Sequence, residues 1–361
     1  MRKKILAAVI SGLAFGANAA NFEDLRISGF GSVGFGQSDN DVGYAGYKDK
    51  VDFKNDTLLG IQFDFQVNDR ASATAQIVTN GRYNFEPAVE VAYLSYDIDF
   101  ATIRGGKIRT PFFIYSDFLD VGYAYPMLRP SQEIYEHLII TSFTGFDLLV
   151  PIDIGESTLQ LQPYLGQSQL EDRDIPFDQT AELNEVFGIA GNWYIGDWTL
   201  HASYVQAELE PMSADPTNPY DRVRLLQLDQ QQAAIFHSLG VQYNDGDWLL
   251  NVEGMTMELE GSFYDVKAAS ALIGYQIDQV TPYLASAFVE TTDNQNRRYF
   301  PTAIQTFERT SYSLGLRWDF ASNIAMKLDT TYADFGGTNG NFTGNTYEDT
   351  FVYSASVDFV F

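Results

Sequence analysis

His201 and Ser203 stand two positions apart, a spacing that puts both side chains on one face of a β-strand. An imidazole beside a hydroxyl is the smallest general base and nucleophile, so hydrolysis is the first chemistry to weigh. The neighbours argue against it. Trp198, Leu200, Ala202 and Tyr204 make the opposite face apolar, which turns the pair toward a polar interior, where it reads as wall lining. The other histidines, His137 and His237, show no metal-ligand spacing, and cysteine is absent. The sequence therefore predicts no catalytic residue, no metal site and no cofactor.

A second concentration of chemistry lies in Ile103 to Phe112, which reads Ile-Arg-Gly-Gly-Lys-Ile-Arg-Thr-Pro-Phe. Lys107 and Arg109 share a strand face with Ile108 opposite, and that opposition assigns them to the interior. Pro111 ends the strand's pairing, since it has no N–H to donate. The connection that follows, to about residue 142, is the longest in the chain. It carries Phe112, Phe113, Phe118, Leu119, Tyr123, Tyr125 and Leu128. A segment this apolar is expected to fold inward and pack on the wall rather than stand in solvent.

The elements that must position these residues are strands. From Phe351 to Phe361 the chain alternates, with Phe351, Tyr353, Ala355, Val357, Phe359 and Phe361 on one side and mostly polar residues on the other. Period-two reading gives sixteen candidate strands: 25–36, 57–67, 71–79, 88–98, 101–109, 143–150, 158–166, 186–194, 198–206, 238–244, 248–257, 266–276, 280–289, 311–320, 324–332 and 351–361. Seven short connections alternate with eight long ones. An oily face on every strand, short turns on one side and long loops on the other predict an all-β, transmembrane antiparallel β-barrel wrapped by lipid.

Other features agree. Arg2, Lys3 and Lys4, an apolar run from Ile5 to Phe15, and Ala17-Asn18-Ala19 form a secretory signal over 1–19, leaving one barrel domain over 20–361. Trp193, Trp198, Trp248 and Trp318 all fall beside short turns, as a periplasmic aromatic girdle at the headgroup boundary would. The formal charge is −26, which makes nucleic acid an improbable partner. Acids crowd the long connections, for example Asp39, Asp41, Asp49 and Asp52, then Glu171, Asp172, Asp174 and Asp178. Solubility accounts for most of them. A sharper reading makes them an acidic vestibule that concentrates cations, or carboxylates that bind divalent ions at the lipopolysaccharide surface.

With its signal, sixteen strands, long inward segment after the fifth strand and terminal Phe, the whole chain resembles the Gram-negative outer-membrane porin superfamily. The resemblance implies a passive, water-filled, non-enzymatic channel of the general diffusion type in the cell outer membrane, with a substrate-specific channel as the alternative and a lipase or adhesin barrel behind it. It implies a homotrimer in outer-membrane lipid, and a third external loop folded inward. It makes Phe361 the signal read by the barrel-assembly machinery. It also implies a constriction in which loop carboxylates, by position Asp117, Asp120, Glu133 and Glu136, face basic wall residues, here Lys107 and Arg109 with Arg26, Arg317 and Lys327.

Overall fold

Alternation of polar and apolar side chains builds sixteen antiparallel strands. They are β1 (Leu25–Ser38), β2 (Leu58–Asn68), β3 (Ala71–Asn80), β4 (Pro87–Asp97), β5 (Thr102–Arg109), β6 (Ser142–Ile154), β7 (Ser157–Leu170), β8 (Ala181–Ile195), β9 (Trp198–Glu210), β10 (Gln232–Asn244), β11 (Trp248–Leu259), β12 (Val266–Tyr275), β13 (Val280–Thr291), β14 (Glu308–Ala321), β15 (Ile324–Asp334) and β16 (Thr350–Val360). The structure, a computed structural model, describes residues 24–136, 140–170, 181–210, 232–260, 264–292, 308–336 and 348–361. The expected signal, His137, and Glu171, Asp172, Asp174 and Asp178 lie outside these residues.

Each strand pairs with its sequence neighbours, and β1 pairs with β16 from Phe30↔Val360 to Ser38↔Val352, so the sheet closes into a barrel. Closure satisfies every strand edge, which a sheet in hydrocarbon requires. Side chains such as Ile27, Phe35, Leu94, Phe146, Leu165, Leu239, Leu284, Leu314 and Tyr353 stand exposed on the outside. An apolar exterior on a closed cylinder fits lipid and not water.

Short turns are set by side chains that cap them. Asn68 accepts the N–H groups of Arg70 and Ala71 at 2.9 and 3.0 Å, and Asp245 accepts those of Asp247 and Trp248. Trp193, Trp198, Trp248 and Trp318 are all exposed at this end, and Trp198 and Trp248 pack on Tyr243 and Tyr275.

The predicted strands agree with those observed, except that several run further toward the long-loop end and β6 runs on to Ile154 at the short-turn end. The structure starts β8 at Ala181 rather than 186, and β10 at Gln232 rather than 238. In β10 alternation weakens because both faces are apolar; in β8 the register with β9 shifts between Asn184 and Phe187, with Glu185 at φ +50. On β9 and β10, Val205, Ala207 and Phe236 are buried on the inner side. Their partner is the segment from Thr110 to Thr141, whose Phe112, Phe113, Ile134 and Ile140 join one cluster with Val205, Phe236, Met255, Met257 and Val289. A second cluster joins Tyr115, Tyr125 and Met127 to Leu272 and Tyr283. The segment thus touches strands on several sides of the barrel through the face opposite the exposed apolar one, which places it within the cylinder.

Candidate functional site

The inward segment is fastened root, middle and tip. At its first root the Phe112 carbonyl receives His201 Nε2 at 3.0 Å, Ser203 Oγ at 3.3 Å and Ser238 Oγ. His201 and Ser203 therefore face the interior, as predicted, and both are engaged in holding one carbonyl. Glu253 on β11 ties the segment twice, accepting the Ile114 N–H at 2.9 Å and the Tyr135 hydroxyl at 3.1 Å.

Cations grip the middle by its carbonyls. Arg317 donates to the carbonyls of Tyr123 and Tyr125 at 2.7 and 3.1 Å and lies over the Tyr123 ring. Lys327 is fully buried, donates to the carbonyls of Gly122 and Met127, and pairs with Asp358 at 2.9 Å. Irregular backbone has carbonyls without ladder partners, and buried cations supply the missing donors. Glu133, 0% exposed, sits where the inward segment meets the first long loop and β14. It accepts from Tyr44, Ser131 and Ser311 and pairs with Arg309 at 2.8 Å.

This fastening leaves a cavity of about 700 Å³ between the segment and the side of the barrel formed by β1 to β6 and β16. Its lining includes five cations, Lys54, Arg82, Lys107, Arg109 and Arg129, and six carboxylates, Asp52, Asp56, Glu90, Asp120, Glu136 and Asp358. Two local irregularities shape it. The β3–β4 register skips Glu90, and this bulge aims the Glu90 carboxylate toward Arg109 at 3.8 Å. Gly106 holds φ +138, where a Cβ would strike the Ala92 carbonyl, so only glycine lets β5 run this close to β4.

Most of these charges are neutralised where they stand. Arg109 pairs with Asp120 and Glu90, Arg129 with Asp56 at 2.6 Å, Arg82 with Asp56 at 3.9 Å, and Glu136 with Arg309 at 2.9 Å. Burial pushes the Asp56 carboxyl up, but Arg129 and Tyr47 outweigh it and leave the group below its ordinary value. Asp117 behaves the other way. Burial within the cylinder raises it, against the pull of Arg104 and Arg109. Its side chain still meets interior water.

The structure brings together some of the expected residues and separates others. Asp120 and Arg109 meet, loop to wall, and Lys107 lines the same cavity with no ion pair among the described residues. The reason given for their orientation does not hold. Ile108 is buried inside, against the segment, because apolar side chains here face protein rather than lipid. Arg317, Lys327 and Glu133 are bound to the segment or its neighbours. Arg26 is exposed near the short-turn end, opposite Asp64. Charges of both signs stand on both sides of the cavity, so opposing rows do not form. Sequence reading missed Asp56, Glu90, Arg82, Arg129 and Asp358. The skipped residue on β4 and the acidic and basic residues of the first long loop were the available signals. Asp52 accepts the Lys54 N–H and Asp39 the Phe351 N–H across the β1–β16 seam, and among the described residues no three metal-binding side chains converge.

Searches of solved structures find this architecture. OmpTΔL8, a loop-deletion mutant of an outer membrane protein of Vibrio cholerae, is 14% identical with a TM-score of 0.62, over 94% of this chain and 100% of that one. The anion-selective porin from Comamonas acidovorans is 11% identical with a TM-score of 0.61, over 93% and 99%. OmpF of Salmonella typhi is 13% identical with a TM-score of 0.58, over 93% and 97%. This chain has the porin fold. No family model and no curated protein matches the sequence. At these identities the likeness carries the porin fold and not the identity of any side chain in the cavity.

Proposed function

We propose that the chain is a porin of a Gram-negative outer membrane, forming a water-filled channel through which small hydrophilic solutes and ions diffuse passively. The observation that carries this reading is the charged cavity of about 700 Å³ left beside a firmly fastened inward segment. A barrel of sixteen strands is wide enough for such a passage, and the segment narrows it. Selection is then by size and by local charge, with no turnover. The His201–Ser203 pair supports a non-catalytic reading, because both side chains are engaged with the Phe112 carbonyl.

Because the cavity charges are interleaved and paired, the channel is weakly selective, with Lys107, Arg109, Asp120, Glu136 and Asp117 tuning it. Residues 1–19 are a signal removed on export. The exposed tryptophans sit at the periplasmic headgroup boundary, and outer-membrane lipid and lipopolysaccharide surround the barrel. Phe361 is the residue that the assembly machinery reads. A homotrimer is the assembly expected; one protein of this fold, OmpT of Vibrio cholerae, has a trimer form.

Reconstitution in planar bilayers tests the reading. Stepwise conductance increments are expected, with permeability to small sugars falling steeply with solute size. Absence of steps from folded protein would overturn it. Block of the current by one solute at low concentration would replace general diffusion by a substrate-specific channel.

A further inference from the structure

β4 carries one residue too many for its partner. Against β3, Gln76 pairs with Val91 and Ile77 with Val89, and Glu90 between them has no opposite number. Gln76 points inward, where it meets Gln62 and Arg109, so Val91 opposite it faces the interior as well. Strict alternation from Val91 would turn Glu90 outward, and a carboxylate facing hydrocarbon is costly. The bulge gives two consecutive inner residues instead. Val89 stays exposed outside, while Glu90 is 7% exposed and lines the cavity of about 700 Å³.

The charges around this carboxylate give its position a meaning. Of the six carboxylates on the cavity, Glu136 and Asp358 are matched by cations outside its lining, Arg309 and Lys327. Arg82 and Arg129 share Asp56. On β5, Arg109 is met from the inward segment by Asp120 and from β4 by Glu90, whose Oε2 lies 3.8 Å from Arg109 Nη1. Lys107, two residues earlier on β5, lines the same cavity with no ion pair among the described residues. With Glu90, the two β5 cations have two carboxylates beside them. Without it they would have one, and this side of the cavity would carry excess positive charge.

We propose that Glu90 is a specificity-determining residue of the channel: turned inward by the bulge, its carboxylate offsets the positive charge of β5 and keeps the passage from favouring anions. It acts through the field in the cavity, where a wall charge weighs on every ion that passes. The inference rests on the transport reading and adds to it the group that sets the sign of the ion preference.

Reversal potentials across planar bilayers test it, in potassium chloride gradients centred near 0.1 M and near 1 M, where the Debye length falls from about 10 Å to about 3 Å. Glu90→Gln keeps the side chain's shape, and Arg109 keeps Asp120. The cation-to-anion permeability ratio is expected to fall severalfold at low salt, to recover in Glu90→Asp, and to change far less at high salt, with the high-salt conductance unaltered. Conductance steps with an unmoved ratio overturn this proposal and leave the transport reading standing; absence of steps in the wild type overturns both. A loss shared by Glu90→Asp, or a matching change of conductance at high salt, would reduce Glu90 to a prop for Arg109 and also overturn it. Because the chain has no cysteine, Glu90→Cys gives a second readout. A sulfonate-bearing thiol reagent should restore the ratio and a trimethylammonium-bearing one should lower it further; equal ratios after the two overturn the proposal.

Discussion

From β7 to β15 the inner wall makes most of the apolar and carbonyl contacts with the inward segment; from β1 to β6, with β16, it borders the charged cavity. The receiving wall offers apolar side chains at its outer half and buried donors lower down, Ser203, Ser238, His201, Arg317 and Lys327. The bordering wall offers charge, most of it paired within the wall or with the segment. One wall is chemically arranged to immobilise a backbone, and the other to line a charged cavity. A cation therefore means different things on the two sides. Lys327 satisfies carbonyls where it is fully buried, whereas Lys107 lines the charged cavity with no ion pair among the described residues.

This contrast can be broken most forcefully at Lys327. Lys327→Met strips Asp358 of its partner and leaves two carbonyls unmet, and it should cost roughly 3–5 kcal/mol. Guanidinium unfolding in detergent measures it. Lys107→Met should cost under about 1 kcal/mol in the same assay; equal losses would erase the distinction between the walls. Phe113, packed between Phe236 and Tyr135, comes next. Phe113→Ala should destabilise by about 3 kcal/mol and make single-channel current noisier as the segment loosens. Quiet current with unchanged stability would show that the apolar patch is not what holds the segment.

On the bordering wall the effect is on selectivity. Arg109→Gln removes the cation that pairs with Asp120 and Glu90, and it should raise the cation-to-anion permeability ratio severalfold by reversal potential. Lys107→Gln should raise it less, and an unmoved ratio in both would remove these residues from the ion path. The smallest effect is with pH. Asp117 is raised by burial, so acidification removes its charge above the ordinary carboxylate range, near 4. Cation preference should drop slightly there, and not in Asp117→Asn. The sign for stability follows: a raised carboxyl disfavours the folded state at neutral pH, and that penalty fades as pH falls through its folded value. Asp56 is lowered, so its contribution is present above the ordinary value and is lost only as pH falls below that range. Acid titration of unfolding should show these as separate steps.

The barrel was legible because hydrocarbon imposes a period of two on every strand and loop length repeats with it. The candidate strands 88–98 and 101–109 sit within a residue of where alternation put them, at Pro87–Asp97 and Thr102–Arg109. The inward segment was legible from its aromatic content after Pro111. What escaped was the face to which apolar residues belong. Ile108, Val205 and Met255 face protein within the cylinder, and periodicity alone cannot tell that from lipid. The ion pairs escaped for another reason. Asp56 meets Arg129, and Glu133 meets Arg309, across separations that only the closed sheet brings together.

Closure also has a temporal side. The β1–β16 seam joins Ser38 to Thr350, 312 positions apart, at one end and Gly29 to Phe361, 332 apart, at the other, where the ring of Phe361 lies in the place of a Cβ on Gly29. No pairing in the sheet must gather a longer stretch of chain, so this one carries the greatest loop-closing entropy. The hairpins can zip up locally, each in its turn, while the two free margins wait. The cylinder becomes a cylinder only at the last click, when an aromatic ring settles onto a bare backbone, and under load that is where it should first unfasten.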